Sequence, residues 1–245
     1  MRAVNCEQNT PAWLHWRTGR LTSSRMTDIL AKPKRGTAEL ACKRDYRMEK
    51  LCERLTGRAA EHVVTRAMDW GIQQEQFARS AYEVMANTMV DTEGLVLHPI
   101  MDFASASPDG LVDTDGCIEI KCPNTETHLE WREAGVVPEE HIPQMMWVMA
   151  CCERDWCEFI SFDPRLPQGL RFFMARLERD DKRIAEMEYE VVQFSAEIDD
   201  KIDRLGAPPW IPKLPAHFGD QGTERIGGVD VPADVAAMLE GEICP

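Results

Sequence analysis

Ser107-Pro108-Asp109-Gly110-Leu111-Val112-Asp113-Thr114-Asp115-Gly116-Cys117-Ile118-Glu119-Ile120-Lys121 is the stretch on which the reading of this chain turns. Pro-Asp-Gly and Asp-Thr-Asp-Gly both carry turn chemistry, and short apolar runs border each. The pattern predicts strand, turn, short strand, turn, strand. In the last strand Cys117, Glu119 and Lys121 alternate to one face, and Ile118 and Ile120 to the other. One sheet face then presents a carboxylate beside an ammonium, and the hairpin brings Asp109 next to them.

Two carboxylates can share a hard cation such as magnesium. A lysine beside them can steady a reacting oxygen or the charge that builds on a phosphate. The stretch therefore suits metal-dependent phosphodiester hydrolysis. In a chain of which 29% is charged, the same spacing also arises by chance, so the remaining segments have to decide.

With 245 residues the chain can bury one sizeable core with appendages. No apolar run approaches the length of a membrane span, and no signal-peptide apolar region opens the sequence. The expectation is a soluble, cytoplasmic protein with no membrane partner. The nine cysteines show no paired C-x-x-C spacing, which argues against a structural zinc site and for free thiols. The formal charge of −14 disfavours a polyanionic partner until its distribution is read. Residues 1–80 hold fifteen Lys and Arg against nine Asp and Glu; residues 81–245 hold thirteen against thirty-three. A basic N-terminal third on an acidic body is a directed field that would draw a polyanion to one side.

Thr10-Pro11 caps a first helix, expected over 10–18 and containing Trp13, Trp16 and Arg17. A second short helix is expected from Leu21 to Ala31, capped by Thr22 or Ser23. Arg17 and Ser24 then lie near helix ends, where an anion is favoured, although each also fits a plain cap or surface role. Lys32-Pro33-Lys34-Arg35-Gly36 is a basic loop suited to phosphate contact. A helix over 37–56 follows, capped by Thr37 and closed by Gly57. Leu40, Met48, Leu51 and Leu55 are its expected inner face, with Lys43, Arg44, Arg47, Lys50 and Arg54 along the rest. A further helix over 65–86 places Ile72, Glu75 and Tyr82 in one stripe. Glu75 needs either a partner or water there.

Residues 138–152 read as a helix carrying His141 and Gln144 one turn apart, with Met145–Met149 as core. Trp156–Asp163 and Leu170–Leu177 read as strands. Asp180–Leu205 reads as a long amphipathic helix whose stripe is Ile184, Met187, Val191, Phe194, Ile198 and Leu205. From Gly206 the four prolines 208, 209, 212 and 215 point to an extended C-terminal arm over 206–245. The expected organisation is one domain over 1–205. It comprises a basic helical part (1–86), a sheet with the active site (87–178) and the long helix (180–205).

Six motifs in order resemble the YqaJ-type viral recombination nucleases, the family of the lambda exonuclease type. They are Trp13-x-x-Trp16-Arg17-x-Gly19 with Thr22-x-Ser24, Ala31-Lys32-Pro33-Lys34, Trp70-Gly71-x-x-x-Glu75, Ser107-Pro108-Asp109-Gly110, Glu119-Ile120-Lys121-Cys122-Pro123, and Gln144 before Trp147. The resemblance covers about Ala12 to Leu205. It implies an α/β, restriction-endonuclease-like core with a central mixed β-sheet flanked by helices. It also implies a ring-shaped homotrimer that degrades one strand of linear double-stranded DNA from a 5′-phosphorylated end, 5′→3′, leaving a 3′ overhang. A single-strand annealing protein would take up that overhang, in a bacterial host with a phage or prophage origin.

Carried over residue by residue, Asp109, Glu119, Lys121, Glu75 and Gln144 form the catalytic set. Asp109, Glu119, the Ile120 backbone carbonyl and Glu75 surround Mg2+, expected as two ions, with Mn2+ as a substitute. Arg17, Ser24 and Ser107 match a pocket for the terminal 5′-phosphate. Lys34 and Arg66 match DNA contacts beside Lys32 and Arg35 of the basic loop, and Met68 matches an apolar wedge at the duplex end. Two departures stand out: His141 replaces a tyrosine of the family pattern, and the arm after Leu205 has no counterpart. A nuclease of other polarity, an endonuclease and a non-enzymatic end-binding scaffold are the competing readings.

Overall fold

The computed structural model describes residues 1–33, 38–60, 65–215, 223–226 and 229–232. In chain order the elements begin with β1 (Arg2–Val4), α1 (Pro11–Arg17), β2 (Leu21–Thr22), a 3-10 turn (Ser23–Arg25) and α2 (Met26–Leu30). They continue with α3 (Ala41–Thr56), α4 (Arg66–Ala86), β3 (Val90–Asp91), β4 (Leu95–Leu97), β5 (Ala104–Ala106), β6 (Gly110–Val112) and β7 (Gly116–Lys121). Then come α5 (Thr125–Ala134), α6 (Ile142–Cys152), β8 (Trp156–Phe162), β9 (Phe172–Glu178) and α7 (Asp181–Arg204). Residues through Pro212 form one compact unit and residues from Lys213 a second. Within the second lies a two-stranded antiparallel hairpin, β10 (Thr223–Ile226) and β11 (Val229–Pro232), where a purely extended arm is expected from the prolines.

Two sheets build the first unit. Five strands run in the order β3-β6-β7-β8-β9, with β7 and β8 parallel and the other pairs antiparallel. Four run in the order β1-β4-β5-β2, with β2 and β5 parallel. The chain crosses from the second sheet to the first between Ala106 and Gly110, through Ser107-Pro108-Asp109. Gly110 is required at that crossing. A Cβ there would stand 2.2 Å from Val90 Cγ1 and 2.9 Å from Ile118 Cδ1.

The alternation predicted for β7 is present. Cys117 joins the larger apolar core with Phe159 and α6, whereas Ile118 and Ile120 join a smaller one with Ala78 and Tyr82 of α4. Helix α7 buries Ile184, Met187, Val191, Phe194 and Ile198 as its spacing predicts. Each such side chain contributes roughly 1.5–3 kcal/mol of burial. Its last turn buries Ile202 and leaves Leu205 64% exposed, because the helix has ended by then.

Several expectations are corrected. Leu21 and Thr22 are strand, paired in parallel with β5, so no helix runs from Leu21 to Ala31; only Met26–Leu30 is α-helical. Helix α3 starts at Ala41, and the proposed cap Thr37 lies outside the described residues. Its inner face is Tyr46, Lys50, Leu51, Glu53 and Arg54, while Met48 and Leu55 are 48% and 42% exposed. Helix α6 starts at Ile142 with His141 as its cap position, not at Pro138. Helix α5 has no counterpart in the reading from sequence, although Asn124 accepts a hydrogen bond from Thr127 N at one end and Gly135 is left-handed at the other.

The basic face of α3 is also not a free one. Arg54 donates to Gly19 O (3.0 Å) and Ser195 Oγ (3.0 Å) and pairs with Asp199 (2.8 Å). Lys50 pairs with Glu53 at 2.7 Å, and Arg47 with Glu39 and Glu197. Lys43 and Lys32 both face Glu190 of α7, at 3.9 and 2.9 Å. Much of the N-terminal positive charge is therefore spent on docking α3 to an acidic α7 rather than projected as a field.

Candidate active site

Asp109 and β7 meet at the sheet crossing. Asp109 Oδ2 accepts from Ile120 N at 2.7 Å, which extends the β6–β7 ladder with a side chain just before β6 begins at Gly110. Lys121 Nζ lies 2.5 Å from Glu119 Oε1, and Glu119 is 1% exposed. The alternation of β7 puts both on one face, as the sequence predicts. From α4, Arg79 reaches two ways: Nη2 pairs with Glu75 Oε1 at 2.6 Å, and Nε donates to the Asp109 carbonyl at 3.0 Å. Arg79 is absent from the sequence-based site, although its i,i+4 spacing from Glu75 signals the pair.

Charge in this cluster is unbalanced. Burial raises the carboxyl pKa of Glu119 to about 7, with Asp109 and Glu75 adding to the rise and Lys121 opposing it. Burial likewise raises Glu75 to about 7, helped by Asp109 and opposed by Arg79 and Lys121. Asp109 is raised by burial against Lys121 and the Ile120 N–H. Lys121 moves the other way for an ammonium. Burial disfavours its charge, but Glu119, Asp109 and Glu75 together outweigh that and raise its pKa. The two partners of the 2.5 Å pair thus fare differently for one reason: the lysine answers three carboxylates, and each carboxylate shares its cations with the other two.

Three carboxylates against Lys121 and Arg79 leave the site short of positive charge. Glu119 Oε2 is moreover buried with no hydrogen-bond partner among the described residues. A hard cation with oxygen ligands answers both deficits. Among the described residues no three His, Cys, Asp or Glu side chains form a ready-made metal cage. The donors on offer are Asp109, Glu119 and the backbone carbonyl of Ile120. Glu75 faces them with one oxygen held by Arg79.

His141 and Gln144 stand at the start of α6, both half-buried. The His141 ring stacks on Phe159 (5.2 Å, 20°) and meets Trp131 edge-on (5.2 Å, 86°). Burial, with Lys121 nearby, lowers its pKa to about 4, so it is a neutral packing ring here. Arg66 and Met68 lie exposed on the first turn of α4, whose cap Thr65 accepts from Met68 N at 3.2 Å. Lys34 and Arg35 lie outside the described residues.

A second cluster assembles on the other side of the crossing. Arg17 Nη2 donates to Thr22 Oγ1 (3.2 Å) and Ser24 Oγ (3.4 Å). Its guanidinium lies over the Trp13 ring at 4.1 Å, and Trp13 Nε1 donates to Ser107 Oγ at 2.9 Å and Gly94 O at 3.0 Å. Trp13 thus joins Arg17 and Ser107, which are ninety positions apart in sequence. The sequence names Trp13 and Thr22 within a motif but not in these roles; the i,i+4 pairing of Trp13 with Arg17 is the signal available. A cation with two hydroxyls converging on it is a set of donors chemically suited to an oxyanion.

Residues 12–155 match the YqaJ-like viral recombinase domain, well over half of the chain. The chain belongs to that family. Arg17, Ser24, Glu75, Ser107, Asp109, Glu119, Lys121 and Gln144 all fall inside the matched segment of this YqaJ-like chain. Among solved structures, it is 42% identical to an alkaline exonuclease (LHK-Exo) from Laribacter hongkongensis, with a TM-score of 0.75 over 80% of this chain and 96% of the other. The same exonuclease in complex with dAMP matches equally well. A phage-related exonuclease from Haemophilus somnus 129PT, 16% identical with a TM-score of 0.59 over 76% and 96%, shares the fold. No match is found among the curated proteins. The architecture is the restriction-endonuclease-like one expected from the sequence, a mixed α/β core with helices around two mixed sheets. Among the described residues no helix is long and apolar enough to cross a membrane.

Proposed function

We propose that this YqaJ-like chain is a metal-dependent exonuclease that degrades one strand of linear duplex DNA 5′→3′ from a 5′-phosphorylated end and leaves a 3′ overhang. One observation carries the reading. An acid–lysine cluster and an oxyanion cluster are built onto the two ends of the same three-residue crossing, Ser107 to Asp109.

Asp109, Glu119 and the Ile120 carbonyl are the residues that would hold Mg2+, and Mn2+ is a chemical substitute. When bound, the cation supplies Lewis-acid neutralisation of the charge on the reacting phosphate. Lys121 keeps its proton between three carboxylates and sets an N–H donor and a positive charge beside the attacking water and the phosphate oxygens. Arg79 pairs with Glu75 and donates to the Asp109 carbonyl, which ties the crossing to α4. Arg17, Ser24 and Ser107 receive the terminal phosphate, and a preference for that end gives direction. Exposed Arg66, with Lys34 and Arg35 of the basic loop, meets phosphates without reading bases, while Lys32 is engaged by Glu190; Met68 offers an apolar side chain to the duplex end. The reading extends to a homotrimeric ring and a single-strand annealing partner, both on the strength of the family resemblance.

The test uses linear duplex with 5′-phosphate or 5′-hydroxyl ends and a covalently closed circle, each with Mg2+ or EDTA. Expected is cation-dependent digestion of the linear substrates alone, faster from the phosphorylated end. Cutting of the closed circle would overturn the exonuclease reading. Equal rates from both ends would overturn the phosphate pocket.

A further inference from the structure

The oxyanion cluster depends on the turn between Arg17 and β2, which Arg20 N closes on Arg17 O at 3.0 Å. Arg17 ends α1 and Ser24 lies in the 3-10 turn after β2; Gly19 is the left-handed residue between them, with φ +77°. Both polar groups of Gly19 are gripped by adjacent residues of α3. Glu53 Oε2 accepts from Gly19 N at 2.7 Å, and Arg54 Nε donates to Gly19 O at 3.0 Å. The grip is completed by Arg54 reaching Ser195 and Asp199 of α7, and by Lys50 holding Glu53.

Trp210 closes this assembly from outside. Its ring covers the Arg54 guanidinium at 4.5 Å. It also lies so close to Gly19 that a Cβ there would stand 2.7 Å from Trp210 Cζ2. Trp210 belongs to the proline-rich segment after α7 and lies outside the segment that matches the YqaJ-like domain. Any side chain at residue 19 would push the indole away, and loss of the indole would open the Gly19 hydrogen bonds to water. Hydrogen bonds to charged groups are strongest where water is excluded.

We propose that Trp210 is a positioning residue for the oxyanion cluster: by packing on Gly19 and Arg54 it fixes the α1–β2 turn and hence the spacing of Arg17 from Thr22 and Ser24. The indole acts through Gly19 and Arg54, the two groups it packs on. The consequence is selective, because the Asp109, Glu119 and Lys121 cluster hangs from β6 and β7, in a different sheet from the β2 that follows the turn. This inference rests on the proposed phosphate pocket, and its test separates the two.

The measurement is kcat/KM on linear duplex with a 5′-phosphate end divided by that with a 5′-hydroxyl end, for wild type, Trp210→Ala and Trp210→Phe. Expected is a fall in this ratio of about fivefold or more for Trp210→Ala, with the 5′-hydroxyl rate changed by less than about twofold. Trp210→Phe, which keeps a ring over Arg54, should retain most of the ratio. A ratio unchanged in Trp210→Ala, a parallel fall on both substrates, or a phenylalanine variant as impaired as the alanine one would each overturn the proposal. A wild type with no end preference removes the pocket itself, a result distinct from a preference that survives loss of Trp210. Thermal melts accompany each variant, and Trp210→Leu is read in the same way should Trp210→Ala melt below the assay temperature.

Discussion

Glu119→Gln should reveal the charge imbalance of the acidic cluster as a pH-dependent stability difference. The Glu119 carboxyl titrates at about 7 in the fold against an ordinary value of about 4.5, because it is 1% exposed and shares Lys121 with two other acids. Between those two pH values the folded state holds a proton that the unfolded state has released. Stability therefore falls as pH rises through that window and levels off above the folded value. One proton is worth about 1.4 kcal/mol per pH unit, less near the folded value, so from pH 5.5 to 7 the wild type should lose about 1.5 kcal/mol that the glutamine variant keeps. His98 and His141 act in the opposite sense. Both sit near 4 in the fold, so their contribution is present above about 6.5 and lost as pH falls toward 4. They are common to both proteins and cancel in the difference. Urea unfolding in EDTA at pH 5.5, 6.5, 7.5 and 8.5, for wild type and Glu119→Gln, measures it. A difference in unfolding free energy that stays constant within about 0.5 kcal/mol across this range would refute the reasoning.

Lys121→Ala should lower the rate of digestion about a hundredfold or more while leaving duplex binding within a few-fold, checked by single-turnover kinetics and fluorescence anisotropy. Arg54→Met should cost about 1–3 kcal/mol in urea unfolding, since it leaves the Gly19 carbonyl and the buried Ser195 hydroxyl without their donor, whereas Asp199 stays open to water; a cost below about 0.5 kcal/mol would contradict the assigned bonds. Lys50→Met should leave the salt dependence of DNA binding unchanged, because its ammonium is committed to Glu53, whereas Arg66→Ala should reduce the slope of log K against log salt by about 1. Trp13→Phe keeps a ring under Arg17 but removes the donor to Ser107 and Gly94, and should cost about 1–3 kcal/mol of stability by the same unfolding assay.

What could be read from sequence was local. Thr10-Pro11 and Thr65 announced helix starts by their own side chains, and both caps are made. The alternation of Cys117, Glu119 and Lys121 needed only the pleat of a strand. What could not be read was set by partners far along the chain. Leu21-Thr22 is a strand because β5, eighty residues on, offers it a parallel edge. Arg54 looked like a solvated cation because Ser195 and Asp199, which bury it, lie 141 and 145 positions away. Arg79 was overlooked because one of its two tasks is to hold a backbone carbonyl, for which no residue type is diagnostic. The order of six motifs located the candidate site; the hydrogen bonds that hold its parts in register came only with the fold.

The crossing from one sheet to the other has a consequence for step size. Ser107 faces the oxyanion cluster and Asp109 the acidic one, with Pro108 alone between them. Two residues of chain span at most about 7 Å, and proline stiffens even that short reach. Under the proposed function, the offset between a seated strand terminus and the bond to be cut is then written in covalent geometry, like the pitch of a screw thread. A residue inserted beside Pro108 would change that pitch, and with it the length of the fragment released at each turn.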